Sequence, residues 1–79
     1  MNELMRKQSL NFILTTMGAS EKAIRSSLVE FGENLEILAL GRNEGSRVQD
    51  YNIIITTEDP TIIFDLCAEF GRIKSVKIS

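Results

Sequence analysis

The chain has 79 residues, 43% of them hydrophobic and 25% charged, which fits one small globular domain and excludes disorder by composition. Nine Lys+Arg against eleven Asp+Glu leave a net charge of −2, which argues against a dedicated nucleic-acid binder. One Cys and no His exclude an internal disulfide and remove the commonest acid–base group and metal ligand. No apolar run approaches the roughly 20 residues of a membrane span, so a soluble, cytoplasmic domain without direct membrane insertion is expected.

Met1 to Ser9 is polar with scattered apolar residues and reads as a lead-in to a domain over 10–79. Leu10 to Thr16 carries β-branched and aromatic residues, with Leu10, Phe12 and Leu14 on one face of a predicted strand. Met17-Gly18-Ala19 breaks it. Ser20 is a good N-cap and Glu21 suits a first helical turn. Ala23, Ile24, Ser27, Leu28 and Phe31 recur at helical spacing and predict one buried stripe. Gly32 is expected to end this helix in a left-handed conformation. Leu35 to Leu40 reads as a second strand, and Gly41 to Ser46 as a hairpin loop. Val48 to Thr57 is the longest predicted strand, its Ile53-Ile54-Ile55 run suggesting cover on both sides. Asp59 then caps a second helix that opens on Pro60, where a missing N–H is tolerated. Ile63, Leu66, Cys67 and Phe70 line its core side, Gly71 stops it, and Ile73 to Ser79 closes the chain as a strand.

The order β-α-β-β-α-β is supported by a repeat. Val29-Glu30-Phe31-Gly32 and Ala68-Glu69-Phe70-Gly71 are offset by 39 positions, and each Phe is placed to cap the core before Gly turns the chain. Two such halves, with parallel inner strands, resemble an α+β ferredoxin-like sandwich: a four-stranded antiparallel sheet with two helices on one face. In that topology the second and fourth strands are outermost. The apolar Leu35–Leu40 strand would then be an exposed edge unless a second copy covers it. A homodimer or higher homo-oligomer is therefore expected.

Little in the chain points to catalysis. It carries no Cys/His, Ser/His or paired-carboxylate motif, and Cys67, on an apolar helical stripe, reads as an inert buried thiol. Metal carriers of this topology place Cys-x-x-Cys in the first loop, and acylphosphatase-like enzymes place an Arg there; here it is Met17-Gly18-Ala19-Ser20. Base-stacking domains need aromatics on the central strands; Tyr51 stands between Asp50 and Asn52, and Phe12 reads as core. The chain is read as no enzyme, with no metal and no cofactor. Two features carry functional weight. A strand running through Gly18 into a helix start presents amides and a dipole that attract carboxylate or phosphate. Asn34, expected across the same sheet end, offers a polar side chain, although Asn is also a favoured turn residue.

From Leu10 to Ser79 the chain resembles the ACT domain, a small regulatory module of amino-acid metabolism. The resemblance lies in Leu14-Thr15-Thr16-Met17-Gly18, in Leu28 through Ile37 (LVEFGENLEI), in Ile54 through Pro60 (IITTEDP) and in Gly71 through Ile78 (GRIKSVKI). It implies a small effector, usually an amino acid, held at a dimer interface. The backbone at Met17, Gly18 and Ala19 would meet its carboxylate and Asn34 would add a side-chain contact. Thr16 and Met17 stand where the family's loop carries an acidic residue and Pro. The alternative is a pure assembly module similar to the C-terminal domain of MgtC/SapB-type membrane proteins.

Overall fold

Residues 6–41 and 47–79 are described by the structure, a computed structural model. Four strands, β1 (Gln8–Met17), β2 (Glu33–Ala39), β3 (Val48–Thr57) and β4 (Gly71–Ile78), alternate with two helices, α1 (Glu21–Leu28) and α2 (Pro60–Ala68), and a 3₁₀ turn at Val29–Phe31 extends α1. The strands form one sheet in the order β2-β3-β1-β4, and every neighbouring pair is antiparallel. The inner strands β1 and β3 are thus antiparallel rather than parallel. The parallel pairs of each half, β1 with β2 and β3 with β4, are split by an intervening strand.

Alternation decides which face is covered. Leu10, Phe12 and Leu14 of β1 and Tyr51, Ile53 and Ile55 of β3 point to one side, where Ile24 and Leu28 of α1 and Ile63 and Cys67 of α2 bury against them. Both helices lie on that face, giving an α+β sandwich of the ferredoxin-like kind. Phe64 completes the layer, its ring meeting Phe12 edge-on at 5.5 Å between centroids. The other face is open: Ile54, expected to be covered, is only half-buried on it. The predicted α1 stripe narrows to Ile24 and Leu28. Ala23 is exposed, and Phe31 is 42% exposed because the chain tightens after Leu28 and swings Phe31 off the core. Phe70 does pack against it.

Both helix starts follow the sequence. The Ser20 Oγ accepts from the Ala23 N–H at 3.1 Å, and the Asp59 carboxylate accepts from the Thr61 and Ile62 N–H groups, with Pro60 at the first position. The glycines after the helices act otherwise than expected. Gly32 is extended (φ −168°) and runs straight into β2. A Cβ there would meet the Thr56 carbonyl oxygen at 2.6 Å and the Ile55 side chain. A Cβ at Gly71, the first residue of β4, would overlap the Thr15 carbonyl. Each is a close approach of one backbone to another, not a left-handed cap. β1 begins at Gln8, inside the expected lead-in, and β2 and β4 each begin two residues early. Positions 42–46 of the expected hairpin loop and 1–5 of the lead-in lie outside the described residues.

A pseudo-two-fold relates the halves. Thr16 and Thr57 are buried near the ends of β1 and β3. Ser20 and Asp59 cap the helices. Asn34 and Ser75 both adopt φ 57° where β2 and β4 slip register against their neighbours.

Candidate functional site

Because β1 and β2 are parallel, the end of β1 and the start of β2 lie at opposite ends of the sheet. Met17 pairs with Val48, whereas Glu33 pairs with Thr56. Met17, Gly18 and Ala19 therefore sit together at one end and Asn34 at the other. Within one chain they form no common site. Asn34 has a structural task in its place, holding the left-handed φ of the β2 irregularity that Asn tolerates better than most residues.

The first turn is built from β1 into α1. Gly18 takes φ 96°, and nothing lies within 4 Å of the position its Cβ would occupy, so glycine is needed here for backbone conformation and not for room. Its N–H donates to the Arg47 carbonyl at 3.1 Å, which removes it as a ligand donor and fastens the turn to the start of β3. Tyr51, buried, donates its hydroxyl to the Ala19 carbonyl at 3.2 Å. In a trans peptide the Ser20 N–H points the opposite way, so this bond turns that amide outward at the helix start. The amide of Ala23 is engaged by Ser20. The anion-attracting part of the turn is thus displaced from Gly18 to the first-turn amides around Ser20, beside a Met17 side chain that is 74% exposed. Sequence patterns hold no signal for this shift, because it depends on partners 29 and 32 positions away.

The pseudo-symmetric turn, from β3 into α2, borders a cleft of about 310 Å³. Its walls include Lys7, Glu30, Glu33, Glu58 and Asp59, with Phe31 and Ile62 as apolar surface. The Thr57 hydroxyl donates to the Phe31 carbonyl at 2.8 Å and accepts from the Asp59 N–H at 3.1 Å, tying three elements at the cleft floor. Lys7 is ion-paired with Glu33. The Glu33 hydrogen bond, then its charge, and more weakly the charge of Glu58 hold this ammonium above its ordinary pKa. Four carboxylates against one ammonium make the cleft unfavourable for an anion. Sequence reading missed it because its walls come from four separate segments.

Among the described residues no group of three or more His, Cys, Asp or Glu could hold a metal ion. Cys67 is fully buried on α2, and burial pushes its thiol up to about 12. The outward positions of β1 and β3 carry no aromatic ring, since Phe12 and Tyr51 face the helices. No described helix is long and apolar enough to cross a membrane. Comparison with known proteins finds no matching family model, no matching curated protein and no matching solved structure.

Proposed function

We propose that this chain is a non-catalytic regulatory module that self-associates and takes a small effector through its carboxylate at the turn from β1 into α1. The outward-turned Ser20 amide, held by the Tyr51–Ala19 hydrogen bond, carries the reading. It gives an anion a fixed donor at a helix start, whereas the acidic cleft at the other end repels one. The resemblance to ACT domains supports the same assignment of Met17, Gly18 and Ala19. In this chain the contact falls on the amides that follow Gly18, because the Gly18 N–H is engaged by Arg47. Asn34 takes no part in such a contact within its own chain, which places it at the far end of the sheet. At the turn the Ser20 hydroxyl oxygen accepts from the Ala23 N–H and the Glu21 carboxylate pairs with Arg25, and the effector acts by differential affinity for subunit arrangements.

Thermal melting against a panel of amino acids and other small carboxylates tests this. A true effector at about 100 times its Kd adds roughly 2.7 kcal/mol, a rise of about 10–20 °C in a domain of this size. Met17→Glu, at an exposed position, places a carboxylate beside the turn and should abolish the rise while leaving the unliganded midpoint unchanged. A rise that survives Met17→Glu would remove the turn as the site. No rise with any compound, in a chain that still self-associates, would favour the assembly-module alternative. That alternative draws on Leu38, which is 63% exposed on the edge strand β2.

A further inference from the structure

We propose that the helix-free face of the sheet is a two-fold interface with a second copy of this chain, the two-fold axis running parallel to the strands between β3 and β1. The inference rests on the self-association reading above and specifies its surface.

Pairing register aligns outward-facing residues in rows across the four strands. One row runs Glu36, Ile54, Asn11, Lys77 from β2 to β4, and the next runs Leu38, Asn52, Ile13, Lys74. The β4 rim is basic at every one of these levels, while the β2 rim carries Glu36 and Leu38. A two-fold axis along the strands reverses each row onto itself. It sets Glu36 over the second copy's Lys77, and Leu38 over the alkyl stem of its Lys74. An axis across the strands would instead stack β4 on β4 and oppose like charges, so charge selects between the two arrangements.

The centre of the face suits burial. Ile13 and Ile54 are half-buried there without helix cover. The two asparagines beside them are already joined, Asn52 Nδ2 donating to Asn11 Oδ1 at 2.8 Å and to the Phe12 carbonyl at 3.0 Å, so closing the interface does not strand that amide. Four strands about 4.8 Å apart and some eight residues long present roughly 500 Å² per copy, about 1,000 Å² in total, near the lower bound for a specific interface.

The test is the dissociation constant of the full chain by sedimentation equilibrium, with circular dichroism to confirm folding. Glu36→Lys and Lys77→Glu lie at exposed rim positions. Each alone should weaken the dimer at least tenfold, and the double swap should restore it to within a few-fold of the unaltered chain. Added salt should weaken the unaltered dimer. A dimer indifferent to both single swaps would overturn this face while leaving self-association standing, with the β2 edge as the remaining surface. A chain that stays monomeric would overturn both.

Discussion

Asn34 and Ser75 stand at equivalent points of the two halves with the same φ of 57°, yet their side chains suit that conformation unequally. Asn enters the left-handed region readily, whereas for most other residues it costs about 1–2 kcal/mol. Ser75→Asn or Ser75→Gly should therefore stabilise the fold by roughly 0.5–1 kcal/mol, and Asn34→Val should lose about 1–2 kcal/mol, both readable from denaturant midpoints. Unchanged midpoints would show that neither position feels its backbone angle. Asn34 was legible in the sequence as a turn residue; its distance from Gly18 was not, because only strand register decides it. Cys67 offers a second test at this scale. Its thiol titrates near 12 in the folded chain against an ordinary 9.0. Between those values the folded state keeps a proton that the unfolded state has lost, so stability falls as pH rises from about 9 to 12. Unfolding free energies across that range should decline more steeply for the unaltered chain than for Cys67→Ala; parallel curves would contradict the burial argument.

At the scale of elements, the strands and both helix starts were legible because each rests on local chemistry: alternation in β1 and β3, Ser20 ahead of α1, Asp59-Pro60 ahead of α2. The helix ends were not. Phe31-Gly32 and Phe70-Gly71 look alike, yet Phe31 swings out to the cleft while Phe70 stays on the core, and Gly32 follows its helical turn in an extended rather than a left-handed conformation. What the repeat marks is strand entry, where β2 and β4 pass too close to a neighbouring backbone for any side chain. Gly71→Ala drives a methyl into the Thr15 carbonyl and should destabilise by more than about 3 kcal/mol. Gly18→Ala meets only the strain of a positive φ, about 1–2 kcal/mol. Urea titrations of the two variants side by side check the order; equal losses would mean that the β1–β4 contact yields easily.

At the scale of the whole molecule, the sheet is two-sided: one face closed by both helices, the other left with Ile13, Ile54 and Leu38 among paired amides and opposed rims of charge. The first turn holds one outward amide at one end of this layer, and a cleft of the wrong sign for an anion lies at the other. The sequence carried the expectation of self-association through its apolar edge, but the open face emerged only once Ile54 was seen to lie outside the core. Sedimentation equilibrium of the unaltered chain across micromolar concentrations tests the account most directly. It predicts a concentration-dependent mass rising to twice the 8.9 kDa of one chain; a mass that remains that of one chain at every concentration would contradict it.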